Sequence, residues 1–117
     1  MTQFGTFVHA ARRSLQAGDR RYSLRQVAKR ISVEPSYLSK IERGQVAPPS
    51  EAATVRLAME LDQDPDVLLA LGGKVSSDLQ EVIRKRPRLF AQLIRELRDA
   101  PDHAVLRIVR EVRDGDW

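Results

Sequence analysis

Residues 23–44 read SLRQVAKRISVEPSYLSKIERG, and this stretch predicts two short helices joined by a tight turn. Ser23 is a preferred N-cap residue, and Gln26 stands three positions later, which is the pattern of a capping box. Pro35 suits the first turn of the second helix, and Gly44 is placed to end that helix. The stretch therefore predicts a helix-turn-helix unit.

The middle of this unit has the small and apolar residues that close packing of two helices requires. Ala28 lies where the helices would cross, and its small side chain lets the two backbones approach. Val33 is predicted to fill the turn. Leu38 and Ile41 share one face of the second helix and are predicted to be buried. The polar residues left for the outward surfaces of that helix are Ser36, Tyr37, Ser39, Lys40 and Arg43.

Apolar residues continue at helical spacing on both sides of the unit, and no period-two alternation is long enough for a strand. Gly18 and the pair Gly72-Gly73 stand where helices would end. The fifth helix begins at Asp64-Pro65 and has Val67, Leu68 and Leu71 as its apolar residues. The chain is thus predicted to be all-α, with helices over about 3–17, 24–31, 35–43 and 50–62, a fifth from 64, and three more within 74–117.

Charge is distributed unevenly along the 117 residues. The net charge of +4 comprises +6 in residues 1–45, −4 in residues 46–72 and +2 in residues 73–117. A basic segment of this kind favours an anionic partner, with nucleic acid first and a membrane surface second. The length suits one domain with an appendage and excludes a large multi-domain enzyme.

Several classes of chemistry lack the residues that they need. The chain has no cysteine, which removes disulfides, thiolate metal sites and cysteine nucleophiles. His9 and His103 are far apart and are interpreted as ordinary helix residues, so neither a metal site nor a cofactor is expected. Apolar runs are far shorter than the roughly 20 residues of a membrane span, and the first residues do not form a secretory signal. We therefore expect a cytoplasmic protein that is not an enzyme.

The sequence resembles the Xre/Cro family of lambda-repressor-like, Cro/C1-type DNA-binding domains over about residues 3–73. The resemblance is carried by SLRQVA at 23–28, by Val33, and above all by PSYLSKIERG at 35–44 followed by Pro48-Pro49, with LAMEL at 57–61 and DPDVLL at 64–69. It implies a five-helix DNA-binding domain over 1–73 and a helical extension over 74–117. The third helix would enter the major groove while the second lies across the phosphate backbone.

This resemblance assigns expected contacts to individual residues. A lysine can donate to guanine O6 and N7, and a serine is compatible with several bases. The residues expected to read bases are Ser36, Tyr37 and Lys40. Those expected to contact phosphates are Ser23, Arg25, Gln26, Ser39 and Arg43.

Two further features of the sequence concern the family pattern: the partner of Glu42 and the length of the connection before the second helix. A glutamate at the position of Glu42 pairs with an arginine of helix 1 in the family, and Arg13 or Arg12 is the candidate here. The connection over 14–22 is about four residues longer than is usual in the family and adds Arg20 and Arg21. These two arginines either touch a neighbouring phosphate or belong to a solvated loop.

The C-terminal extension cannot bury its apolar stripes by itself, because forty-odd residues are too few for a secure core. It must pack on the first domain, on a second copy of the chain or on a different protein. We favour homodimerisation over simple packing within the monomer. The predicted core or interface residues are Leu89, Phe90, Leu93, Ile94, Leu97, Val105, Ile108, Val109 and Val112.

These observations favour a sequence-specific transcriptional regulator, a repressor that binds double-stranded palindromic DNA as a homodimer. The alternative is an antitoxin that represses its own operon through this domain and masks a toxin with its C-terminal helices. Nothing in the sequence supports a catalytic constellation.

Overall fold

The computed structural model describes residues 3–115, which contain eight α-helices, one 3₁₀ turn and no strand. The all-α class predicted from the sequence is confirmed. The chain divides into two compact units, one ending at Ser76 and one beginning at Ser77. The first unit contains α1 (Gln3–Gln16), the 3₁₀ turn (Arg20–Tyr22), α2 (Leu24–Arg30), α3 (Pro35–Glu42), α4 (Glu51–Glu60) and α5 (Pro65–Leu71). The second contains α6 (Ser77–Lys85), α7 (Pro87–Leu97) and α8 (Asp102–Asp114).

Local capping explains where the helices of the first unit begin. The Ser23 hydroxyl oxygen accepts a hydrogen bond from the Gln26 amide at 3.3 Å, as the capping pattern predicts. The reciprocal half of the capping box does not form as predicted, because the Ser23 amide donates to the Arg20 carbonyl at 3.2 Å instead. Pro35 and Pro65 occupy the first turns of α3 and α5, where a missing amide proton costs little.

A continuous apolar core holds the first unit together. α5 contributes Leu68 and Leu69, which are buried, whereas Val67 is about half exposed at 49% and Leu71 is partly buried. Residues 68 and 69 define the inward face of this short helix, so Val67 lies on its far side. The clustered buried residues are Phe4, Val8, Val27, Ala28, Ile31, Leu38, Ile41, Leu57, Ala58, Leu61 and Leu68.

Helix α1 passes directly over the C-terminal end of α3 at Gly5. A Cβ atom on Gly5 would collide with the Ile41 carbonyl oxygen and lie 2.8 Å from the Glu42 carbonyl oxygen. Both obstacles are backbone atoms, so they cannot move aside as a side chain could. A glycine at this position therefore sets how closely α1 and α3 approach.

The second unit differs from the first because none of its described residues is buried. Its helices are strongly amphipathic, and large apolar side chains remain open to solvent. The most exposed of the nine residues predicted to form a core or interface are Leu89, Leu93, Ile94, Val109 and Val112. The other four, Phe90, Leu97, Val105 and Ile108, are partly buried.

No helix in the described range of 3–115 is both long enough and apolar enough to cross a membrane.

We expect Gly5→Ala to lower the free energy of unfolding by about 1–3 kcal/mol or more, because the added methyl group forces two packed backbones apart. Urea denaturation followed by circular dichroism measures the change. Gly18→Ala is the matched control, since no atom beyond the adjoining residues lies within 4 Å of the Cβ added there. The control should stay within about 1 kcal/mol of wild type. Equal stabilities of the two variants would contradict the close approach at Gly5.

Candidate nucleic-acid interface

A tight turn joins α2 to α3 and fixes their crossing. The Val33 amide donates to the Ala28 carbonyl at 3.0 Å, and the Ser32 amide donates to the Lys29 carbonyl at 3.2 Å. Ser32 has a φ of 62°, the left-handed conformation that lets the chain reverse within so few residues. Ala28 is fully buried, and Val33 is partly buried against the core. The turn therefore holds α3 at one angle to α2.

Helix α3 has one apolar and one polar side. Leu38 and Ile41 are buried on the inner side. Ser36 and Lys40 are exposed and are one helical turn apart, so they lie next to each other on the outer side. Tyr37, which lies between them in the sequence, is partly buried against the core. The three residues expected to read bases therefore lie on or beside one outer surface of a short, firmly packed helix.

The residues expected to contact phosphates lie at the two ends of this unit. Arg25 and Gln26 are exposed in the first turn of α2. The Ser23 oxygen is used in capping, which leaves the hydroxyl proton free to donate. Ser39 is partly buried, and its carbonyl oxygen accepts a bond of 3.3 Å from Nε of the exposed Arg43. That bond leaves the two terminal nitrogens of Arg43 available to an anion.

A buried ion pair fastens the end of α3 to α1. Arg12 donates from Nε to Glu42 Oε2 at 2.7 Å and from Nη2 to Glu42 Oε1 at 2.9 Å. Only 5% of Arg12 and 4% of Glu42 is exposed, so both charges depend on each other for compensation. The remaining Arg12 nitrogen, Nη1, donates to the Gln16 side chain at 3.0 Å and to the Tyr22 carbonyl at 3.2 Å. One guanidinium thus joins α1, α3 and the 3₁₀ turn.

This geometry decides between the two arginines that the sequence left open. The partner of Glu42 is Arg12, and the predicted alternative, a structural pairing of Arg13 with Glu42, is wrong. Arg13 is exposed, and its Nη1 lies 3.5 Å from Gln16 Oε1. The physical reason is helical spacing, since Arg12 follows the buried Val8 by four residues, whereas Arg13 is turned away by a further 100°.

The sequence predicts an ordinary helix residue at His9, and the structure gives it a specific partner. Its Nδ1 lies 2.7 Å from Glu42 Oε1, although 53% of the side chain remains exposed. His9 therefore adds a second contact to the carboxylate that Arg12 holds. The i, i+3 spacing of His9 and Arg12 on α1 is the sequence signal that could have indicated this.

A second polar cluster, which the sequence did not reveal, ties the 3₁₀ turn to α2 and α4. The guanidinium of Arg30 lies 5.4 Å from the centre of the Tyr22 ring, within the range of a cation–π contact. Its Nε donates to Glu60 Oε2 at 2.6 Å. The three residues come from separate elements, so no local spacing predicts their meeting.

Among residues 3–45, exposed cations without an ion pair outnumber the acidic residues. Residues 1–45 contain three acidic residues, and two of them, Asp19 and Glu42, are paired with arginines of the same unit. Hydrogen bonds from Arg21 hold the pKa of the Asp19 carboxyl below its usual range, so this group stays ionised and paired at neutral pH. The exposed cations of this region that lack an ion pair in the described chain are Arg13, Arg20, Arg25, Lys29, Lys40 and Arg43. The field around α2 and α3 is therefore positive.

Comparison with known proteins relates the N-terminal part of the chain to a protein family. Residues 3–71 match a family model described as a helix-turn-helix domain, and this range spans α1 to α5 and more than half of the chain. No curated protein and no solved structure gives a significant match.

We expect Glu42→Gln to lower the free energy of unfolding by about 3–5 kcal/mol, because it leaves the Arg12 charge buried without its counter-charge. Urea denaturation measures the effect. Arg13→Gln is the control on the neighbouring exposed arginine and should change stability by less than about 0.5 kcal/mol. A larger loss in Arg13→Gln than in Glu42→Gln would mean that the ion pair is wrongly assigned.

Proposed function

This chain belongs to a helix-turn-helix domain family related to the Xre/Cro type, and we propose that it is a sequence-specific DNA-binding transcriptional regulator. The observation that carries the proposal is the arrangement of α3. Its inner face is locked by Leu38 and Ile41, its end is fastened by Glu42, and its outer face is polar and cationic. A helix of this kind fits the major groove, where side chains reach base edges.

Ser36, Tyr37 and Lys40 are the proposed base-reading residues. The Lys40 ammonium is a mobile donor at the end of a long side chain, suited to the O6 and N7 acceptors of guanine. The proposed phosphate contacts orient the domain on the duplex without specifying sequence, and they come from Ser23, Arg25, Gln26, Ser39 and Arg43. The exposure of Arg25, Gln26 and Arg43 supports these roles.

We further propose that the protein is a repressor that acts as a homodimer on a palindromic operator. Residues 1–73 form the DNA-reading domain in this proposal, and residues 74–117 form the pairing region. The exposed apolar side chains of α7 and α8 support it, since large apolar side chains left open to solvent on two amphipathic helices are typical of an interaction site. A two-fold dimer would present its two α3 helices to half-sites about one helical turn, roughly 34–36 Å, apart.

The same apolar surface also fits the second candidate function, an antitoxin whose C-terminal helices cover a toxin. In that case the surface of α7 and α8 is covered by a different protein, and the DNA-binding domain serves to repress its own operon. Domain families of this kind are typically non-enzymatic, which agrees with a binding role in either case.

We expect two substitutions on the DNA-binding surface to act differently. Lys40→Ala should relax base choice at one position of each half-site, with a loss of about 1–3 kcal/mol of discrimination there. Arg25→Ala should weaken binding to all sequences about equally, because a phosphate contact carries no base information. Selection of bound duplexes from a random pool, followed by sequencing, measures both profiles. An unchanged profile for Lys40→Ala would remove it from the base-reading set.

We expect the full chain to be a dimer at micromolar concentration in sedimentation velocity experiments. Ile94→Asp should shift it to monomer, because it introduces a charge into the apolar face of α7. Gln92→Asp adds the same charge on an exposed polar position of α7 and should remain dimeric. A wild-type chain that is strictly monomeric would contradict the dimer. A small toxin-like reading frame beside the gene would then favour the antitoxin function.

A further inference from the structure

The connection between α1 and α2 is an ordered turn, although its sequence is compatible with a solvated loop. Four successive backbone hydrogen bonds cross it, each 3.2 Å long: Gly18 to Leu15, Asp19 to Gln16, Tyr22 to Asp19 and Ser23 to Arg20. In each case the first residue donates its amide and the second accepts through its carbonyl oxygen. The 3₁₀ turn is capped by Asp19, whose side chain accepts from the Arg21 amide.

This turn is also fastened to the rest of the first unit. The Tyr22 carbonyl accepts a bond from Arg12, the buried arginine that holds Glu42. The Tyr22 ring lies against Arg30, which is paired with Glu60 of α4. The turn therefore has a fixed position relative to α2 and α3.

The two arginines of the turn differ in whether their charges are paired. Arg21 donates to Asp19 from Nε at 3.0 Å and from Nη2 at 2.7 Å, which neutralises it within the turn. Arg20 is exposed, and no hydrogen bond or ion pair to its guanidinium is found among residues 3–115. An ordered turn thus pairs one cation internally and leaves its neighbour open to solvent.

We propose that Arg20 is a further DNA phosphate contact, lying beside the Ser23 and Arg25 contacts. The inference rests on the proposed DNA-binding function and extends it to the connection between α1 and α2. The Arg20 carbonyl bonds the Ser23 amide, so the two residues are one turn apart on a rigid segment. A guanidinium recognises phosphate oxygens in bidentate geometry, and a pre-ordered backbone lowers the entropy lost on binding.

The test is the salt dependence of affinity for the selected duplex, measured by fluorescence anisotropy with wild type and three variants. Arg20→Gln removes the charge, and Arg20→Lys keeps it. The double variant Asp19→Asn with Arg21→Gln removes the neutral ion pair without changing the net charge. Thermal unfolding of each variant establishes that the fold is retained.

We expect Arg20→Gln to reduce the slope of log affinity against log salt by about 0.9 per protomer, or about 1.8 for a dimer. Between 50 and 200 mM salt, a dimer slope change of that size is roughly a twelve-fold difference in relative affinity. Arg20→Lys and the double variant should keep the wild-type slope.

A wild-type slope in Arg20→Gln overturns the inference and leaves the proposed function standing. An equal loss of slope in the double variant also overturns it, because the effect would then come from the turn and not from the Arg20 charge. A wild-type protein that selects no duplex overturns the proposed function, and this inference with it.

Discussion

The buried pair of Arg12 and Glu42 is the interaction on which the candidate DNA-binding surface depends. Burial of two charges is costly unless each is compensated, so the pair tolerates only a geometry in which all its bonds form together. That geometry requires α1 to pass over the end of α3, which the absence of a side chain at Gly5 allows. It also requires the Tyr22 carbonyl to face Arg12. One polar contact therefore sets the position of the outward-facing helix and of the turn before α2.

The parts of the fold that could be predicted from the sequence are those decided by local chemistry. Ser23 and Pro35 begin their helices for reasons that lie within one turn of each residue. Gly44 has a φ of 71° just after α3, in the left-handed conformation that suits glycine at a helix end. Apolar spacing in the seven-residue α5 does not fix which side meets the core, and Val67 lies on the exposed side of that helix.

The polar contacts of the candidate site were harder to predict because they join elements that are distant in the sequence. Arg12 and Arg13 are adjacent and chemically identical. Only the burial of Val8, one turn earlier on the same face as Arg12, shows which of the two arginines turns inward. His9 meets a carboxylate 33 residues away. The meeting of Tyr22, Arg30 and Glu60 depends on how α4 packs, which no local pattern contains. The outward positions of α3 were easier to predict. Once Leu38 and Ile41 are placed on the inner side, helical periodicity puts Ser36 and Lys40 on the outer side.

The absence of buried residues in α6 to α8, within the described range, has a consequence for how the protein responds to its own abundance. Helices that obtain their core only on association fold and associate in one equilibrium. In the proposed dimer, occupancy of the operator would rise with roughly the square of the chain concentration while free monomer predominates. Such a regulator would leave its operator mostly free when it is dilute, and occupancy would rise more steeply with synthesis than for a regulator that binds as a monomer. Because the second unit has no buried core of its own within the described range, the strength of dimerisation would then set the protein concentration at which repression begins.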